Sequence, residues 1–278
     1  MTMGAVVVTG ASTGIGETVS LGLDRAGARV FAGVRKESDG LALRQKASDR
    51  LTPVLLDVTD AESVAACAAL VAEAVGEAGL AGLVNNAGVC VGGPLEFLPL
   101  DDLRRQFEVN LFGVLAVTQA FLPQLRRARG RIVNMSSITG RVASPFVGPY
   151  SASKFALEAL TETLRMELQP WGIGVSVVGP GEVATPIWQK SVRAADERFD
   201  RMPSAAREMY GPTFEAVRRQ ALKVQGSKPE AVLAAVQHAL TAPRPKARYR
   251  VGADAMLVDV LRQLPVGLRE SIVRKRFL

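Results

Sequence analysis

The chain has 278 residues, 48% hydrophobic and 22% charged, which is enough for a sizeable core and excludes wholesale disorder. Its 34 basic and 27 acidic side chains leave a net charge of +7, but aromatics are only 5%, which argues against a stacking surface for nucleic acid. One histidine, His238, excludes multi-histidine metal sites, and two cysteines, Cys67 and Cys90, exclude a disulfide framework, so the expected setting is reducing and cytoplasmic.

Strands, glycine turns and helices then alternate. Ala5–Val8 is an apolar run ended by Thr9-Gly10, the pattern of a parallel strand covered on both faces. Gly14–Ala26 reads as a helix stopped by Gly27, Arg29–Val34 as a second strand and Val54–Leu56 as a third. Asp60 is the expected N-cap of a helix running to Ala78. Leu83-Val84 leads a fourth strand into Asn85–Gly88, and residues 100–127 are helical territory with Pro123 near its end. Arg131–Met135 is a fifth strand, Ser151–Leu168 a helix, and Gly174–Val178 a sixth strand stopped by Gly179-Pro180-Gly181. Residues 187–222 are helix-prone and basic. Ser227 is the expected N-cap of a helix with Pro229 in its first turn. Tyr249–Val251 reads as an edge strand, and Leu257–Leu278 as an amphipathic helical tail broken near Pro265.

This alternation predicts an α/β fold, a parallel sheet whose ligands sit beyond the carboxyl ends of its strands. The unusual clusters all fall at such ends: Thr9–Gly16, Val34-Arg35, Asp57, Asn85–Gly88, Ser136-Ser137 and Pro180–Thr185. One domain is expected over 1–278. Within it, 1–186 is the cofactor-binding and catalytic core, 187–226 a helical insertion covering the substrate, and 227–278 a last helix, strand and basic tail. Charge divides at the same place. Residues 1–186 carry 16 basic and 18 acidic side chains, residues 187–278 carry 18 and 9. Met1–Thr9 lacks the basic start of a signal peptide, and no run reaches the ~20 apolar residues of a membrane span.

The turn Gly10-Ala11-Ser12-Thr13-Gly14-Ile15-Gly16 follows a strand and opens a helix. Glycines there let backbone N–H groups approach a phosphate at the positive helix end, so a dinucleotide site is expected. The second strand ends in Val34-Arg35-Lys36, with no carboxylate to hold the 2′-hydroxyl of NAD. Arg35 can pair with the 2′-phosphate of NADP, and Ser12 can add a hydrogen bond; NADP(H) is preferred, with NAD(H) the alternative.

Tyr150 and Lys154 stand four residues apart, on one face of a helix. A neighbouring ammonium favours the phenolate, which would bring a tyrosine toward use as an acid/base near neutral pH. Ser137, at the end of the fifth strand, can bind a carbonyl oxygen, with Ser136 as the less favoured neighbour. Asn110 puts an amide in an apolar helix, where it either holds the helix in place or holds a water that relays protons to Lys154.

Together these motifs, spread over residues 5–186, resemble the short-chain dehydrogenase/reductase family, and its NADP-preferring steroid- and retinoid-active members in particular. The Tyr-to-Lys spacing differs from that of the family's enoyl-reductase branch. The resemblance implies a Rossmann-type doubly wound sheet of about seven strands in an α/β/α sandwich. It implies Tyr150 as acid/base, Lys154 as the residue that lowers its pKa and holds the nicotinamide ribose, Ser137 as the substrate-orienting serine and Asn110 as the fourth member of a tetrad. Gly10, Ser12, Thr13, Gly14, Ile15, Gly16 and Arg35 would bind the cofactor. So would Asp57 and Val58 at the adenine, Asn86, Ala87 and Gly88, and Pro180, Gly181, Val183 and Thr185 over the nicotinamide. No metal is implied.

The implied reaction interconverts a ketone and a secondary alcohol. Ser137, Val142, Phe146, Tyr150 and Trp188 would line the substrate, and the apolar residues after Thr185 favour a bulky lipophilic one: a steroid, retinoid, lipid or polyketide. The alternative is a dinucleotide-sensing protein without turnover. The expected partners are a small-molecule alcohol or ketone and further copies of the chain, as a homodimer or homotetramer, with no nucleic acid. The basic tail can lie on an anionic membrane, although a subunit contact or a solvated face is preferred. His238 and Cys67 are expected to be structural.

Overall fold

Runs of β-branched residues between glycine turns form the strands, and the computed structural model describes residues 4–223 and 226–277. The strands are β1 (Ala5–Val8), β2 (Arg29–Val34), β3 (Leu51–Leu55), β4 (Gly82–Asn85), β5 (Arg131–Met135), β6 (Gly174–Pro180) and β7 (Arg248–Val251). They form one parallel sheet in the order β3-β2-β1-β4-β5-β6-β7. The order reverses direction between β1 and β4, so a crevice opens there at the strand ends.

Alternation along each strand feeds two cores. Val6 and Val8 join one with Val19 and Leu23 of α1 (Gly14–Arg25) and Val232 and Val236 of α9 (Pro229–Thr241). Val7 joins the other with Val71 of α3 (Ala61–Val75), Phe121 of α5 (Gly113–Ala128) and Leu164 of α6 (Gly148–Leu168). Both sheet faces are therefore covered, which explains why the strands read as nearly continuous apolar runs. Asp60 caps α3 as expected, accepting from the N–H groups of Glu62 and Ser63 at 2.9 and 3.3 Å. His238 is structural as expected, its Nδ1 lying 2.8 Å from the Tyr249 hydroxyl.

Several local expectations change. A short helix, α2 (Glu37–Arg44), follows β2 where no helix is expected from the sequence. Helical residues 100–128 divide into α4 (Leu100–Phe107), a π-helical turn (Glu108–Phe112) and α5. Ser227 does not cap α9: Lys228 holds that position, while Ser227 bridges to Val183. The basic segment folds as α7 (Pro186–Asp200) and α8 (Ser204–Leu222).

The tail forms α10 (Ala253–Gln263) and α11 (Val266–Phe277), interrupted at Pro265. It is not amphipathic along α11: at helical spacing Leu268 and Ile272 fall on one side and Val266 and Val273 on the other, with charges between. Val224 and Gln225 of the expected insertion, and Leu278 of the tail, lie outside the described residues. Among the described residues no helix is long and apolar enough to cross a membrane.

Candidate active site

The turn after β1 requires its glycines. Gly10 and Gly14 have φ of +64° and +62°, the left-handed region that side chains disfavour. A Cβ on Gly16 would lie 2.2 Å from the Gly10 carbonyl oxygen and 2.5 Å from Asn86 Nδ2. The turn is also stitched to the end of β4. Thr9 Oγ1 accepts from the N–H groups of Asn86 and Ala87 at 3.0 and 2.9 Å, and Asn86 Nδ2 donates to Thr9 O at 2.9 Å. Thr13 precedes α1 without capping it, so the first N–H groups of the helix have no side-chain acceptor. Their donors, beside an exposed Thr13 and a half-buried Ser12, fit an anionic pyrophosphate.

Arg35 is exposed at the end of β2. Asp57, just beyond β3, lies within its electrostatic reach. Burial acts to raise the Asp57 carboxyl, but hydrogen bonds from the Thr59 N–H and hydroxyl, at 3.0 and 2.7 Å, and the Arg35 charge hold it below the usual carboxylate range. Val58 is buried behind it against Gly113. On the opposite side, Thr185 precedes α7 without a capping hydrogen bond and packs against Gly14, where an added Cβ would meet it at 3.2 Å. Gly181 leaves no room for a side chain beside Asp254, and Val183 is buried. The crevice thus has a floor of glycine turn and a rim made by residues 180–185.

Tyr150 lies in the first turn of α6, which starts three residues earlier than expected, with Pro149 stiffening the turn. Its hydroxyl faces the Ser137 hydroxyl. Ser137 Oγ accepts from the Thr139 N–H and hydroxyl at 3.2 and 3.0 Å, which fixes its rotamer. Ser136 is buried with an unpartnered hydroxyl. Lys154, 4% exposed, donates from Nζ to Met135 O at 2.7 Å and lies 5.6 Å from the centre of the Tyr150 ring.

The proton affinities depart from the sequence expectation. Burial pushes the Tyr150 phenol well above its usual value; the Cys90 thiol adds to this and the facing Ser137 hydroxyl opposes it. In this arrangement the Lys154 ammonium is turned to the Met135 carbonyl. Burial draws Lys154 itself down to about 8.

Asn110 is fully buried in the π-helical turn. Its Oδ1 accepts from Val89 N–H at 2.9 Å, and its Nδ2 donates to Val89 O at 3.0 Å and Ser153 Oγ at 3.2 Å. A Cβ added to Gly88 would come within 3.4 Å of Asn110 Oδ1 and 3.8 Å of Lys154 Nζ. The bare backbone of Gly88 therefore faces both groups. One turn earlier, Gln106 accepts from Val91 N–H at 2.7 Å and donates to Val89 O at 2.8 Å. Sequence reading missed Gln106; a fully polar amide four residues before Asn110 was the available signal. It also missed that Cys90 faces Ser191 of α7. Burial pushes the Cys90 thiol up to about 11, which suits an inert contact.

The expected substrate residues divide. Ser137 and Tyr150 meet. Phe146 has φ of +61° and faces Tyr210 and Phe214 at 6.1 and 6.4 Å, while Phe214 stacks on Phe199 at 4.1 Å. Trp188 ties its indole N–H back to Val183 O at 3.2 Å. Val142 is buried and lines a cleft shared with residues of α11.

A family model described as short chain dehydrogenase matches residues 4–196. The chain belongs to that family. It is 40% identical to 17-beta-hydroxysteroid dehydrogenase type 6 of Bos taurus, over 97% of this chain and 87% of that one. It is also 40% identical to retinol dehydrogenase 5 of Mus musculus, over 91% and 82%. Among solved structures, a short-chain dehydrogenase from Streptomyces avermitilis superposes with a TM-score of 0.79 at 30% identity, covering 99% of this chain and 95% of that one. One from Burkholderia cenocepacia, in complex with NADP, gives 0.72 at 29% identity over 100% and 98%. Membership makes the chain an oxidoreductase of a family that uses NAD(P).

Proposed function

We propose that the chain interconverts a ketone and a secondary alcohol using NADP(H), on a bulky lipophilic substrate. The observation that carries this is the Ser137–Tyr150 pair beside buried Lys154, whose Nζ lies 5.6 Å from the Tyr150 ring centre, at the mouth of the glycine-turn crevice. The nicotinamide, when bound, supplies or accepts the hydride. The chain does the rest. The Ser137 hydroxyl donates to the substrate oxygen and polarises the carbonyl. Tyr150 gives that oxygen its proton in reduction and takes it back in oxidation. Lys154 would turn from Met135 O to the nicotinamide ribose and place its positive charge near the phenol. Asn110 would hold a water beside Gly88 that returns the proton to Lys154.

Gly10, Ser12, Thr13, Gly14, Ile15 and Gly16 would hold the pyrophosphate, Asp57 and Val58 the adenine, and Pro180–Thr185 the nicotinamide. Arg35, with no acid at the end of β2, favours the 2′-phosphate, and the Burkholderia neighbour bound to NADP supports that choice. The rings of Phe146, Phe199, Tyr210 and Phe214 offer an apolar cover for the substrate. The relatives named for hydroxysteroids and retinol favour the same class.

Steroid ketones assayed with NADPH and NADH test this reading, with retinaldehyde as the aldehyde comparison. Turnover is expected with NADPH ahead of NADH. Tyr150→Phe should lower it by roughly 10²–10⁴-fold while NADPH still binds. Turnover retained in Tyr150→Phe removes the assigned mechanism, and equal rates with both cofactors remove the preference.

A further inference from the structure

Beyond β6, residues 181–185 form the rim of the crevice, and their backbone is held by residues distant in sequence. Gly181 N–H donates to Val251 O at 2.9 Å, and Ala184 N–H to Ser227 O at 3.1 Å. Glu182 O accepts from Ser227 N–H at 2.8 Å, and Val183 O from the Trp188 indole N–H at 3.2 Å. At the end of the segment Thr185 packs on Gly14 of the glycine turn. This strap is therefore anchored to the C-terminal elements on one side and laid against the cofactor turn on the other.

Among these contacts the charged partner is Asp254, in the first turn of α10. Its Oδ2 accepts from Glu182 N–H at 2.6 Å, across 72 residues of sequence, and its Oδ1 accepts from Ala255 N–H at 3.0 Å. With both oxygens engaged, the carboxylate is held in one orientation, and the helix start favours its charge. A charged acceptor makes a hydrogen bond roughly twice as strong as a neutral one. Two glycines leave it room. A Cβ on Gly181 would strike both carboxylate oxygens, and one on Gly252 would strike Oδ1. Gly252 has a φ of +101°, which itself favours glycine, but Gly181 is not among the residues of positive φ. The missing side chain of Gly181 therefore serves the carboxylate and not a turn.

We infer that Asp254 is a positioning residue for the cofactor. Its carboxylate fixes the height of the strap above the crevice floor, and so sets the affinity for the nicotinamide half of the dinucleotide. The inference rests on the oxidoreductase reading, in which residues 180–185 cover the nicotinamide.

Isothermal titration of the full chain with NADPH and NADH tests it. The tighter dinucleotide is compared with its own fragment lacking nicotinamide, 2′-phospho-ADP-ribose or ADP-ribose. The proteins are the unaltered chain, Asp254→Ala, Asp254→Asn, Gly181→Ala and the double variant Gly181→Ala/Asp254→Ala, each checked for folding by thermal melt. Asp254→Ala should weaken the dinucleotide at least tenfold and the fragment less than twofold. Asp254→Asn should fall between, because its amide oxygen can still accept from Glu182 N–H. It carries the comparison, with at least a threefold loss, if Asp254→Ala does not fold. Gly181→Ala alone should weaken the dinucleotide at least fivefold. Added to Asp254→Ala, it should cost less than twofold more, because the carboxylate it would strike is gone. Unchanged dinucleotide affinity in the Asp254 variants overturns the inference. So does an equal loss for dinucleotide and fragment, which would mean a general loosening of the fold, or full additivity of the two substitutions. An unaltered chain that binds neither dinucleotide overturns the oxidoreductase reading and this inference with it. The unaltered chain alone therefore separates the two failures.

Discussion

Lys154 has a cost that its neighbours only partly offset. Burial draws its ammonium from an ordinary 10.5 down to about 8, against opposing pulls from Cys90 and Glu158. Between those two values the unfolded chain holds a proton that the folded chain has released. Unfolding therefore takes up a proton, and rising pH favours the folded state across this window. Lys154→Met removes the effect. Stability of the unaltered chain relative to that variant should climb on the order of 2–3 kcal/mol between pH 8 and 10.5. Urea denaturation at a series of pH values measures it, and a flat difference would refute the assigned proton affinity. The same residue marks a limit of sequence reading. The spacing of Tyr150 and Lys154 puts both on one helix face, but the hydrogen bond that turns Nζ to Met135 O depends on β5, nineteen residues away.

Elements were legible where their cause is local. The strands, the glycine turn and the Asp60 cap follow from apolar runs, positive φ and a side-chain acceptor. Where a partner distant in sequence decides, reading stopped short. The first residues of β3, from Leu51, join the strand because Val30–Val34 supply a pairing edge. Ser227 is a plausible cap by type, but Val183 recruits it into a bridge. The π-helical turn at Glu108–Phe112 has no periodic signature; it is recognisable once Gln106 and Asn110 both hold the backbone of residues 89–91. This clamp sets the loop that carries Gly88 and Cys90 beside Lys154. Gln106→Leu should leave the Val91 N–H buried without an acceptor and cost about 1–3 kcal/mol. Faster amide hydrogen exchange at Val89–Val91, with α1 unchanged, is the expected signature; unaltered protection at Val91 would refute the clamp.

Across the whole molecule, the basic surplus of residues 187–278 is partly neutralised by acids of the earlier sequence. Arg198 of α7 reaches Asp102 of α4 at 2.5 Å and also donates to Gly92 O at 2.7 Å, tying the helical cover to the loop beneath it. Arg248 of β7 grips Glu158 with both ends of its guanidinium, one contact at 2.8 Å. Glu158 stands one turn beyond Lys154 on α6, so this pair fastens the last strand to the helix that carries Tyr150. The two side chains are 25% and 10% exposed, so breaking the pair should matter more than for a surface bridge. Glu158→Leu alone strands the Arg248 charge and should cost about 3–5 kcal/mol; Arg248→Met alone should be costly as well. The double variant replaces two buried charges by hydrocarbon, so its loss should fall well below the sum of the singles. Urea denaturation of the four proteins gives the coupling directly. Additive losses would mean that β7 and α6 are held together by packing, with the Glu158–Arg248 pair contributing little.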